Sequence, residues 1–172
     1  MGQRIRLTAV TLADAKHVNR WKNDPEIQKH SSDSFVSESL LETEARVARW
    51  RDADPNQIVH FAIRALPSDE LLGFCHLAEI DRANRRCKVG LVIGERALWG
   101  QGCGSAAVSE LLEHATRRGL TRVVAEVYGD NLRSQRLFAK LGFELEGTQR
   151  ASVLRGGHWI DELIYAWRAA ER

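Results

Sequence analysis

Within the segment Leu98-Trp-Gly-Gln-Gly-Cys-Gly-Ser-Ala-Ala107, glycine occupies alternate positions at Gly100, Gly102 and Gly104. Glycine lets a backbone turn sharply and lets a ligand approach with no Cβ in the way. The free N–H groups at a helix start point at whatever anion sits there. A loop of this kind followed by a helix can cradle phosphate, and its best-suited guest is the pyrophosphate of a nucleotide-like cofactor. A tight strand-to-helix turn with no ligand is the competing reading. The dinucleotide fingerprint G-x-G-x-x-G fits poorly, because its last position falls on Ser105 or Ala107. The Gly-Lys-Ser/Thr triplet of a P-loop is absent.

The elements around the loop must position it. Val89-Gly-Leu-Val-Ile93 before it is an apolar, β-branched strand pattern, and Val108, Leu111, Leu112 and Ala115 after it repeat at helical spacing. Upstream, Ile5 to Val10 reads as a strand, and Thr11 to Asp14 has the form of a helix start. That helix should end near Asn23-Asp24, ahead of Pro25. Ser31 to Ser34 reads as a polar loop and Ser37 to Asp52 as a second helix. Strands are expected at Ile58 to Leu66, Leu71 to Ile80 and Cys87 to Ile93. The glycine-loop helix should reach about Arg118, capped by Gly119. A parallel strand from Thr121 to Tyr128, a short helix from Asn131 to Leu141 and two closing strands, Phe143 to Leu154 and His158 to Trp167, complete the chain. The order β-α-α-β-β-β-α-β-α-β-β predicts a mixed α/β (α+β) fold. A central, mostly antiparallel sheet is flanked by helices, with one β-α-β crossover carrying the glycine loop, and residues 1–172 form a single domain.

Composition narrows the class. A net charge of +2 gives no field favouring nucleic acid, and no basic run carries interleaved aromatics. The apolar runs are too short to span a bilayer, and the N-terminus lacks an apolar signal segment. Cys75, Cys87 and Cys103 are odd in number and lack C-x-x-C spacing, so reduced thiols in a cytoplasm are expected, with neither a disulfide framework nor a metal site.

Three spaced motifs carry a family resemblance. Trp21-Lys-Asn-Asp-Pro25, Trp99-Gly-Gln-Gly-Cys-Gly104 and Asn131-Leu-Arg-Ser134 with Phe138, Lys140 and Gly142-Phe143 follow one another in the order found in the GNAT superfamily of acetyl-CoA-dependent N-acetyltransferases. The chain most resembles the RimJ/RimL-like branch, which also includes spermidine acetyltransferases. The resemblance implies acetyl-CoA as cosubstrate, its pyrophosphate on the backbone of Gln101, Gly102, Cys103, Gly104 and Ser105. It places the pantetheine against the edge at Val92 and Ile93, with Asn131 on the pantetheine arm and Ser134 near the sulfur. A register starting at Gln101 also satisfies the loop motif; the Trp99 register puts Gly104 at the helix start.

Acetyl transfer to an amine requires that the amine, with a pKa of about 10, lose a proton. It also requires that the carbonyl oxygen be stabilised and the leaving thiolate be protonated or held. Ser134 is the candidate thiolate partner, with a helix-start role as its alternative. Phe138 stands where relatives often have the acid Tyr, and reads as packing. Lys88 stands where relatives often have a basic Glu. Glu79 and Glu126 remain as candidate bases, beside a water chain with no single base. Cys103 has no evident His–Asp partnership. Tyr128 could line the acyl site, and Asp161 and Glu162 could help recognise a cationic amine.

The expected function is therefore direct acetyl transfer to a primary amine, first a protein N-terminal α-amine. Polyamine, amino sugar and aminoglycoside acceptors follow, with a non-catalytic acetyl-CoA-binding module as a different class. No acidic cluster stands out in the sequence, which disfavours polyamines. Trp or Phe residues near the closing strands would permit a homodimer.

Overall fold

The computed structural model describes residues 3–30 and 36–170. Strands β1 (Ile5–Ala9), β2 (Val59–Ala65), β3 (Leu71–Asp81), β4 (Arg86–Ile93), β5 (Arg122–Tyr128), β6 (Glu144–Arg155) and β7 (His158–Arg168) form one seven-stranded sheet in the order β1-β2-β3-β4-β5-β7-β6. Every neighbouring pair is antiparallel except β4 and β5, which run parallel. The parallel pair needs a crossover connection, and α4 (Cys103–Arg117) supplies it. The expected mixed sheet and its single β-α-β unit are thus present.

Alternation along the strands assigns the two faces. Cys75, Leu77, Cys87, Val89, Val123, Ala125 and Val127 join Val108, Leu111 and Ala115 of α4, together with Phe138 of α5 (Leu132–Lys140), in the larger core. On the opposite face, α1 (Ala15–Lys22) and α3 (Leu40–Arg51) bury Val18, Trp21 and Val47 against Ala62 and Leu71, with Phe74 and Val92 beside them. That second face is covered over β1 to β4 and left more open over β5 and β7.

Two elements differ from expectation. The second helix begins at Leu40, three residues beyond the expected Ser37, because Ser39 and Glu42 form the capping box. Pro25 ends one helix and starts another: it occupies the first turn of α2 (Pro25–Gln28), where its missing N–H costs nothing, and Asp24 caps the Glu26 N–H. The expected loop from Ser31 to Ser34 lies outside the described residues.

Candidate acetyl-transfer site

The sheet parts at the parallel junction of β4 and β5. β4 and β5 pair through Arg86–Arg122, Cys87–Val123 and Lys88–Val124, and the pairing stops there although both strands continue. Gly94 donates to the Leu72 carbonyl on β3, while Arg122 donates to the Arg85 carbonyl. Alternation from either end turns the backbone groups of Lys88, Gly90 and Val92 toward β3, and those of Leu91 and Ile93 toward the gap. Val92, named from the sequence as an edge, therefore has its backbone directed into the β3 ladder; Ile93 faces the gap, and Leu91 joins it.

The gap has a defined rim. The Ile93 carbonyl accepts the indole N–H of Trp99 at 2.7 Å. The Arg133 guanidinium stacks over the Trp99 ring, 3.7 Å from its centroid, so a residue of α5 reaches the loop that follows β4. Trp21 packs so closely on Gly94 that a Cβ there would meet the indole at 2.0 Å, and its N–H reaches Glu95 at 3.2 Å. Asn23 donates to the carbonyls of Asn19 and Glu38 and accepts from the Glu38 N–H. The Trp21–Pro25 motif thereby ties α1, α2 and the approach to α3 to the end of β4.

At the start of α4, Gly102 is the helix cap with φ +90°, and Gly100 has φ +78°. L side chains disfavour both values, whereas a Cβ at either would find open space, so backbone conformation demands glycine here. Gly104 is glycine for a different reason: a Cβ would lie 2.8 Å from Leu137 of α5. The first intrahelical bond is Ala106 N–H to Gly102. Cys103, Gly104 and Ser105 thus present the open N–H groups of a fifteen-residue helix with no acidic residue in its first turn. Gln101 differs, because its N–H already bonds the Leu98 carbonyl at 3.2 Å and its side chain the Ala97 carbonyl at 2.6 Å. Cys103 is buried and its thiol is pushed up by burial, so it stays protonated near neutrality.

Beyond β5, Asn131 caps α5 by accepting the Ser134 N–H at 3.1 Å. The Ser134 hydroxyl makes no hydrogen bond among the described residues and sits half-buried. Phe138 is buried and packs edge-on against Phe143 at 4.9 Å, which bears out its reading as packing.

Three carboxylates distant in sequence meet on the open face beside the gap. Lys88 lies 2.9 Å from Glu79 and 2.7 Å from Glu126. Glu79, at φ +49° where the β3–β4 register breaks, has a side chain 66% exposed. Both candidate bases are therefore ion-paired to one lysine, whose ammonium is held above its usual range by them. Glu162 on β7 sits directly across from Tyr128 on β5. Burial, reinforced by the Glu126 charge and opposed by Lys88, pushes its carboxyl above the usual carboxylate range. The sequence marks Glu162 for recognition of a cationic amine and not as a base. Its signal was the alternation Ile160, Glu162, Ile164, which places a carboxylate in an otherwise apolar row. A polar hollow between α4 and β1–β2, lined by Leu7, Phe61, Glu110 and His114, lies on the other face and serves none of this chemistry.

The sequence matches the Acetyltransferase (GNAT) domain over residues 4–144, and the chain belongs to that family. It is 28% identical over 166 residues, 95% of this chain and 92% of the relative, to the Uncharacterized N-acetyltransferase p20 of Bacillus licheniformis. It is 30% identical over 100 residues, 56% of this chain and 50% of the relative, to the [Ribosomal protein uS5]-alanine N-acetyltransferase of Escherichia coli. Among solved structures, RimL, the ribosomal L7/L12 α-N-protein acetyltransferase in complex with coenzyme A, superposes with a TM-score of 0.85 at 23% identity, covering 95% of this chain and 93% of that one. Spermidine N-acetyltransferase from Vibrio cholerae, in complex with CoA and spermine, gives 0.84 at 19% identity with 95% of each chain covered. The protein is an acetyl-CoA-dependent N-acetyltransferase. The parted strands, the open helix start and the rim fit a cosubstrate with an extended amide-bearing arm and a pyrophosphate.

Proposed function

We propose that the protein acetylates a protein or peptide N-terminal α-amine in the cytoplasm, by direct transfer. The observation that carries the mechanism is the placement of the half-buried Glu162 carboxyl on the open face of the parted strands, across from Tyr128. When bound, acetyl-CoA supplies an acyl carbon activated as a thioester. The N–H groups of Gly102, Cys103, Gly104 and Ser105 hold its pyrophosphate at the positive end of α4. Leu91 and Ile93 pair with the pantetheine amides, and Asn131 supports the arm. Glu162 takes the proton from the acceptor ammonium; its raised pKa brings it nearer the operating pH, where a general base is most effective. Burial raises that pKa, Glu126 adds to the rise and Lys88 opposes it, and Glu79 holds Lys88. The acceptor nitrogen releases a second proton as the amide forms, and Ser134, with an uncommitted hydroxyl at the start of α5, relays that proton to the leaving sulfur and keeps its own hydroxyl.

The alanine N-acetyltransferase relative and the RimL likeness support an α-amine acceptor. Lys88 adds a fixed cation among the carboxylates, which opposes a polycationic acceptor. A polyamine is the second reading, favoured by the meeting of Glu79, Glu126 and Glu162, which the sequence did not announce. Incubation with acetyl-CoA and a panel of Ser-, Ala- and Met-starting peptides, spermidine, amino sugars and an aminoglycoside, read by mass spectrometry, tests the proposal. Acetylated peptide is expected. Acetylated spermidine alone would replace the acceptor, and binding of acetyl-CoA without any product would favour a non-catalytic module.

A further inference from the structure

A second charged group lies on the same face, beyond Tyr128. Arg155, at the end of β6, places its guanidinium carbon 4.5 Å from the Tyr128 ring centroid. Its Nη1 donates to Asp130 at 2.9 Å, in the turn between β5 and α5. His30, beyond α2, brings its Nδ1 to 3.9 Å from the other oxygen of Asp130. Burial pulls that imidazole below its usual value, so it contributes no full charge near neutrality. Arg155 is thus fixed on two sides, by an aromatic face and by a carboxylate.

Its remaining edge is unsatisfied. Nη2 of Arg155 is buried and has no hydrogen-bond partner among the described residues. A buried charged donor without an acceptor is costly, so such a group asks for an oxygen that the described residues do not supply. Tyr128, the residue on which Arg155 rests, lies directly across the strands from Glu162. A carboxylate suited to take a proton from an amine and a guanidinium with one edge unsatisfied therefore flank one aromatic ring.

We propose that Arg155 is a specificity-determining residue that donates to the carbonyl or carboxylate oxygen adjacent to the acceptor amine. The inference rests on the proposed α-amine acceptor and narrows it to α-amino carbonyl compounds. An amine at Glu162 and an oxygen at Arg155 are the two poles of an amino acid or a peptide N-terminus. A polyamine presents a second cation to Arg155 instead.

The test compares the wild type with R155Q and R155K on three acceptors: an Ala-starting peptide, free alanine, and 2-aminobutane, which has no carbonyl. A hydrogen bond to a charged group predicts that R155Q raises KM for the peptide about 10- to 100-fold, with kcat little changed. KM for 2-aminobutane should stay constant. R155K keeps the charge but lacks the forked donor, and should recover the loss only in part. Free alanine preferred over peptide would identify the oxygen as a carboxylate, supporting the inference while removing the peptide reading. Equal losses on the peptide and on 2-aminobutane, or no change in peptide KM, would overturn it while wild-type peptide acetylation still stood. Wild-type activity on polyamines alone would overturn both readings. Should R155Q melt early, R155K carries the comparison, together with calorimetric titration of the CoA-loaded wild type with the peptide; absence of peptide binding there counts against the inference.

Discussion

Lys88 is the last residue of β4 to pair with β5, and its ammonium lies 2.7 Å from Glu126, two residues past its partner Val124. One lysine thus marks the branch point of the sheet and sets the charge around Glu162. The Lys88 charge lowers the Glu162 pKa and the Glu126 charge raises it. In K88M the acidic limb of the kcat/KM profile should move to higher pH, because the base then protonates earlier. In E126Q it should move to lower pH. Initial rates across pH 5 to 9 with a peptide acceptor read both shifts, roughly within the window between carboxylate and amine titration.

Trp99 holds the Ile93 carbonyl with its N–H and carries Arg133 on its ring. W99F keeps the stack and loses the donor. A net hydrogen bond of about 1 kcal/mol predicts roughly fivefold weaker CoA binding by calorimetry, and W99A should lose more.

Gly102 and Gly104 should fail in distinguishable ways. G102A places a side chain at φ +90°, costing about 1–2 kcal/mol of stability with no clash. G104A keeps ordinary helical backbone but drives a Cβ toward Leu137, costing about 1–3 kcal/mol. L137A should relieve the second substitution and leave the first unchanged in denaturant unfolding.

Asp14 and Arg64 form an ion pair at 2.7 Å with both side chains largely withdrawn from solvent, and Asp14 also accepts from the backbone N–H and hydroxyl of Thr11. Removing one partner leaves the other charge buried. D14A should destabilise by about 3–5 kcal/mol in chemical denaturation.

Trp50 stacks on His60 with ring centroids 5.0 Å apart, and the His76 ring lies tilted against His60 at 5.3 Å. Burial, then the His76 charge, draws His60 down to about 4, and burial lowers His76 as well. An unfolded histidine titrates near 6.5, so between about 6.5 and 4 the unfolded chain binds more protons than the folded one. The stability held above that window should drain away as pH falls through it. H60F should flatten the fall in melting temperature measured from pH 7 to pH 4.

Much of this was legible in sequence where the signal is local. The strand pattern Val89–Ile93, the helical repeat from Val108 to Ala115 and the Thr11–Asp14 capping box each read correctly because neighbouring residues encode them. Pro25 was half legible: it excludes the helix before it, while its role as a first-turn residue depends on Asp24 acting as a cap. The Glu79–Lys88–Glu126 group was not legible, since three strands must come together before its members meet. The parting of β4 from β5 was equally hidden, because the residues that no longer pair look like any other strand.

Among the described residues, three strand-ladder residue pairs join the first four strands to the last three. The sheet is two leaves on a short spine, and the proposed mode of binding inserts acetyl-CoA between them as a bookmark touching both. The angle between the leaves is then itself a determinant of affinity. Cys87 and Val123, buried along the spine, would then belong to the binding energetics through that angle.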